Sequence, residues 1–352
     1  MRAILARAAL VMLGLAGSLA AVEGALRVLP LVRGSGDLRG LHVVRPDRPW
    51  LYGMRPGAEA RLKASGVRYV VNADGFRDGS YRRPKPSGTF RVVVLGDSIA
   101  FGYGVALEQT FPKLLETRLH VLAPDKHVEV LNLGVSGYNA YTEAALFADV
   151  GVAYEPDLVL VQFCINDLND PTLHFDASTM EALGDIPDAA FPDPARRRPP
   201  PSTGLGWCRA LQLCRLIADA LAPADLASVL RALETHDEPS DPEITWLRAQ
   251  YAETARVAAE HGARFAVLVF PYRAQLEGRA PAGVEERLAA LGAESGWVTV
   301  DLLPAFRAAS SSGPLFLDLY HPTTAGHRVA ADAILAQLGC RGLVPGGCPA
   351  GR

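Results

Sequence analysis

A series of short apolar runs, the first three closing on turns rich in Gly, Asn and Asp, constrains this chain more than any other feature. Arg91-Val92-Val93-Val94-Leu95 stops at Gly96-Asp97-Ser98. Val128–Leu133 stops at Gly134, and Asp157–Phe163 stops at Cys164-Ile165-Asn166-Asp167. Arg264–Phe270 and Val298–Leu302 follow later. Such runs suit strands buried on both faces. Between them lie stretches with apolar residues at helical spacing: about 110–122 (Phe111, Leu114, Leu115, Leu119), Tyr141–Val152, Glu243–Gly262, Ala282–Ser295 and about Thr323–Leu338. Strands alternating with helices make βαβ units, hence a parallel sheet covered on both faces. The expected fold class is α/β, a three-layer α/β/α sandwich with a central parallel sheet.

The remaining chain reads as additions to that core, which occupies 91–339. In residues 1–30, Arg2 and Arg7 precede a charge-free run from Ala8 to Val22. A run of this length fits a signal-peptide core and is short for a membrane span. A helix continuing to Leu29 would instead make a retained anchor, so secreted and membrane-anchored forms both stay open. Residues 31–90 read as an extended arm without a core of its own, with Val67–Val71 extended and Asn72-Ala73-Asp74-Gly75 as a turn. Residues 168–242 interrupt the alternation. They hold a proline cluster and one helical stretch, Leu205–Leu233, in which Trp207, Leu211, Leu213 and Leu216 would suit a lid. Residues 340–352 form a tail.

Composition excludes some partners. The net charge of −3, from 35 basic and 38 acidic residues, leaves no electrostatic footprint for nucleic acid. Arg196-Arg197-Arg198 reads as a solvated charge run. Of five cysteines, none forms a C-x-x-C pair. Cys208, Cys214, Cys340 and Cys348 allow three pairings, of which Cys340–Cys348 closes a small Gly/Pro-rich loop. Cys208–Cys214 within one helix is out of reach.

The chemistry gathers where the strands end, because ligands of parallel α/β sheets bind beyond the carboxyl ends. Ser98 stands at the end of the first run. A serine nucleophile needs a base, and the base needs an orienting acid. Among eight histidines only His321 has an acid three residues before it, Asp318. One turn can hold both side chains. An oxyanion site needs donors at the same edge. Gly137, after the second strand, offers a backbone N–H, and Asn166, after the third, a side-chain amide.

These four blocks together resemble the SGNH, or GDSL-type, hydrolases. The resemblance covers about 91–167 and 243–339 and implies a flavodoxin-like SGNH fold. It implies Ser98 as nucleophile, Asp318 and His321 as its acid and base, and Ser98, Gly137 and Asn166 as the oxyanion hole. It departs from the family at Cys164, which stands where the third block usually has Gly. Packing in the core is the expected fate of that thiol. Asn72 to Arg77 (Asn-x-x-Gly-Phe-Arg) is also similar to the arm of membrane-anchored bacterial members, which favours the anchor.

The implied reaction is hydrolysis of a small-molecule or polysaccharide acyl ester, or of a lipid ester, without cofactor or metal. Asn166, Asp167, Asn169 and Asp170 look like a fragment of a cation loop but lack its Gly and its terminal Glu. The competing readings are an O-acyltransferase using the same triad and a non-catalytic carbohydrate-binding assembly protein.

Overall fold

The computed structural model describes residues 14, 17–25, 40–45, 47–62, 65–168 and 239–348. The chain divides into two units, and the site lies in the one drawn from residues 36–198 and 232–352. Of the other unit, residues 14 and 17–25 are described, as helix. Most of the N-terminal apolar run therefore lies outside the described residues. So do Leu205–Leu233, the proline cluster, Arg196–Arg198, Cys208 and Cys214. No helix among the described residues is long and apolar enough to cross a membrane.

The arm forms two small antiparallel pairs. β1 (His42–Val44) pairs with β2 (Tyr52–Met54), and β3 (Glu59–Arg61) with β4 (Arg68–Val70). The central sheet then runs through β5 (Thr89–Leu95), β6 (His127–Asn132), β7 (Leu158–Phe163), β8 (Arg264–Val269) and β9 (Val298–Asp301), all parallel. Its spatial order is β6-β5-β7-β8-β9. That is the flavodoxin-like order, whose switch point lies between the first and third sheet strands. Here those are β5 and β7, the strands that lead into Ser98 and Asn166.

Both sheet faces are dry, and the two-residue period of the strands divides them. Val93, Leu95, Val159, Val161 and Val267 enter one core, while Val92, Val94, Leu158, Leu160 and Ala266 enter the other. This explains why the strands read as continuous apolar runs. The expected helices appear at Phe111–Leu122, Ala140–Asp149, Asp241–Glu260, Gly283–Ser295 and Thr324–Cys340. Asp241–Glu260 starts where its chemistry dictates: Ser240 and Glu243 make a reciprocal cap, and Pro242 occupies the first turn. The helix thus begins two residues before the expected Glu243. Short helices at Ser98–Phe101, Arg273–Leu276 and Leu303–Ala309 have too little periodicity to read from sequence. Cys340 and Cys348 are joined in a disulfide that closes the small Gly/Pro-rich loop.

The arm differs from a bare linker. Trp50, Tyr52, Met54, Tyr69 and Phe76 are buried in the same core as Val93 and Val161. The arm lacks a separate core because its aromatic residues complete the one beneath the sheet.

Candidate active site

Ser98 begins a one-turn helix directly after β5. Asp97 caps it, its side chain accepting from the Ile99 N–H at 2.8 Å. The turn is held from beneath by Gln162 on β7, whose Oε1 accepts from Asp97 N at 3.3 Å and Ala100 N at 3.1 Å. Gln162 is fully buried. Sequence reading missed it, although a lone amide inside an apolar strand was the available signal. A buried carbonyl oxygen needs donors, and Oε1 finds them in the backbone of the Ser98 turn, while Nε2 has no partner among the described residues.

His321 and Asp318 come from the loop before the last long helix. That loop is pinned by an isolated bridge between Phe316 and Pro322 and by Leu317 N–H donating to His321 O at 2.8 Å. Asp318 is used fully: Oδ1 accepts from Tyr320 N at 3.1 Å and His321 N at 2.9 Å, and Oδ2 faces His321 Nδ1 at 2.7 Å. The other ring nitrogen, Nε2, lies 2.8 Å from Ser98 Oγ. With the Nδ1 proton donated to the carboxylate, Nε2 is free to accept from the hydroxyl. Burial works to raise the Asp318 carboxyl, but the bonds and charge from His321 and the N–H groups of His321 and Tyr320 outweigh it. The carboxyl is held below its ordinary 3.8. Two rings flank the imidazole, Tyr103 at 4.6 Å and Tyr320 at 4.3 Å between centroids.

The oxyanion donors expected from sequence stand at the same edge. Gly137 sits in a turn at φ 83°, a left-handed conformation open to glycine. Among the described residues neither its N–H nor that of Ser98 has an acceptor. Asn166 follows β7 in a short 3₁₀ turn. Its Nδ2 donates to Tyr138 O at 2.6 Å, which fixes the amide. Asp167 braces that turn by accepting from Cys164 N at 2.9 Å and Tyr251 O–H at 3.3 Å. Cys164 is buried and free, and burial pushes its thiol up. It packs as a small apolar side chain.

His327, on the last helix, stands apart from this row. It is fully buried, its Nδ1 accepts from Phe111 N at 3.2 Å, and burial lowers it to about 3. Among the described residues no group of His, Cys, Asp or Glu is placed to hold a metal ion. Asn169 and Asp170 lie outside the described residues.

The fold and this edge define an α/β sandwich with a Ser-His-Asp row and backbone donors at its switch point. The GDSL-like lipase/acylhydrolase family matches residues 94–329, well over half of the chain. The chain belongs to that family, whose esterases act as ester hydrolases. An arylesterase of Vibrio mimicus is 34% identical over 77 residues, which are 22% of this chain. The match spans 38% of that relative's length. An acetylxylan esterase from Geobacillus stearothermophilus shares 15% identity at a TM-score of 0.43, over 71% of this chain and 94% of its own. A lipolytic G-D-S-L protein from Veillonella parvula shares 14% at 0.41, over 70% and 96%.

Proposed function

We propose that the chain is an exported serine esterase that removes short acyl groups, acetyl above all, from a carbohydrate or lipid. The observation that carries this reading is the unbroken row of Ser98 Oγ, His321 Nε2, His321 Nδ1 and Asp318 Oδ2, with spacings of 2.8 and 2.7 Å. His321 takes the Ser98 proton as Oγ attacks the ester carbonyl. The tetrahedral oxyanion is received by the N–H groups of Ser98 and Gly137 and by the Asn166 amide. Asp318 stabilises the imidazolium and fixes its tautomer. His321 then protonates the leaving alcohol. Water enters, gives its proton to His321, and releases the acid from Ser98.

Export is supported by Arg2 and Arg7 ahead of the apolar run, and by the Cys340–Cys348 disulfide. Such bonds persist in oxidising compartments. Attachment to the membrane through residues 1–30 belongs to the same proposal. The test is turnover of a chromogenic acetyl ester by the full chain, with Ser98→Ala as control and a fluorophosphonate probe for Ser98. Absence of both turnover and labelling in the intact protein sinks the reading. A release assay on acetylated polysaccharide and on lipid ester then separates the substrates, and fractionation of the source cells tests export.

A further inference from the structure

Arg77 lies in the arm, outside the residues that match the family, yet it reaches the Ser98 turn. Its side chain is fully buried. Nη1 donates to Phe101 O at 2.8 Å and Gly102 O at 2.7 Å, and Nη2 donates to Val105 O at 2.7 Å. The guanidinium stacks over Tyr69 at 4.3 Å and Phe101 at 5.2 Å. No carboxylate lies within ion-pair distance of it among the described residues; Glu108 acts on it through charge alone. Burial lowers it to about 10, which leaves it cationic at neutral pH.

A buried charge without a carboxylate is a poor way to stabilise a core, since an apolar side chain of like size does as well or better. What the guanidinium supplies is a fork of donors. A one-turn helix leaves its last carbonyls without helical partners, and side chains of β6 and the arm satisfy these in sequence. Asp78 Oδ2 accepts from Asn132 N at 2.7 Å, and Asn132 Nδ2 donates to Ala100 O at 2.6 Å. Arg77 takes Phe101 O and Gly102 O. Gly102 is needed for this approach: it sits at φ 82°, and a Cβ there would lie 2.9 Å from Arg77 Nη1. Tyr69 Oη accepts from Gly104 N at 2.8 Å. Arg77 therefore grips both sides of Tyr103, the residue whose ring packs on His321.

We propose that Arg77 is a positioning residue for the esterase reaction. It holds the Phe101–Val105 loop so that Ser98 stays in line with His321 and Tyr103 stays against the imidazole. This rests on the esterase reading above. A misplacement of about 1 Å in such a row can cost on the order of 10²-fold in rate.

The test compares full-length Arg77→Met, which keeps bulk and loses every donor, with Arg77→Ala, and with Arg68→Ala as control. Arg68 is an exposed arm residue paired with Glu59. Below the melting temperature of each variant, Arg77→Met is expected to lose about 10- to 100-fold in kcat with KM within two-fold. Labelling of Ser98 by fluorophosphonate slows in proportion, and added guanidinium partly restores Arg77→Ala. A purely structural role would lower the melting temperature and leave kcat of the folded variant alone. Folded Arg77→Met with kcat within three-fold of wild type overturns the proposal. If that variant does not fold, Tyr69→Phe decides, because it removes the acceptor of Gly104 N and keeps the ring. A several-fold loss of kcat at constant KM supports the proposal, and unchanged kcat overturns it. A wild-type protein that neither turns over nor labels removes the esterase reading and the positioning role with it.

Discussion

Replacing Asn166 by alanine tests the oxyanion site with the least disturbance to the Ser-His-Asp row. The amide has one hydrogen committed to Tyr138 O at 2.6 Å, and its Oδ1 has no partner among the described residues. In the proposed mechanism alanine removes a donor to the developing oxyanion, which is worth about 2.7–4 kcal/mol, or 10²–10³ in kcat. The substrate carbonyl carries less charge before attack, so KM should stay within about two-fold. Tyr138 O also loses its donor, at roughly 1 kcal/mol of stability, a small downward shift in melting temperature. Asn166→Asp should be worse than alanine in rate, because it sets an acceptor where negative charge forms. The assay is initial-rate kinetics on a chromogenic acetyl ester beside thermal melts. A folded Asn166→Ala with kcat within three-fold of wild type would refute the reasoning.

Other residues give independent checks. Asp318→Asn should keep the fold and lose about 10⁴ in kcat by favouring the wrong tautomer; single-turnover acylation measures it. Glu285 is buried, accepts from Gln275 Nε2 at 2.8–2.9 Å, and is raised by burial from 4.5 to about 7. The unfolded chain releases this proton first, so stability should fall by up to about 3 kcal/mol as pH rises from 4.5 to 7. Urea melts of Glu285→Gln at pH 5 and pH 8 should show this loss abolished; equal slopes for variant and parent would contradict it. The Cys340–Cys348 bond closes a loop with a separation of 8 residues. Reduction should cost about 2.5 kcal/mol from loop-closure entropy, read as a drop in melting temperature with reductant and unchanged kcat.

The order of elements was legible because burial on both faces leaves a one-dimensional trace. The five sheet strands are apolar runs, and the strand-end turns that hold Ser98, Gly137 and Asn166 interrupt them visibly. Asp318 and His321 were legible for another reason: three residues apart, they meet within one turn. Contacts between segments distant in sequence were not legible. Gln162 is a lone polar residue in an apolar strand, and nothing local places its amide beneath the Ser98 turn. Arg77 was visible only as the last residue of the Asn72–Arg77 element, and nothing local says whether such an arginine is buried against carbonyls or left in water. The arm itself lacked a readable core since it borrows the core of the sheet.

The sequence by itself determined the α/β class, the positions of the long helices and strands, and the five polar groups at the sheet edge. Each follows from local periodicity or from a motif within one turn. Only the tertiary structure decided the strand order, the 2.8 Å approach of Ser98 to His321 across the chain, and the grip of Arg77 on the Ser98 turn. These depend on which buried surfaces and unsatisfied backbone groups find one another after the chain closes. Partners so far apart in sequence leave no periodic mark on either segment.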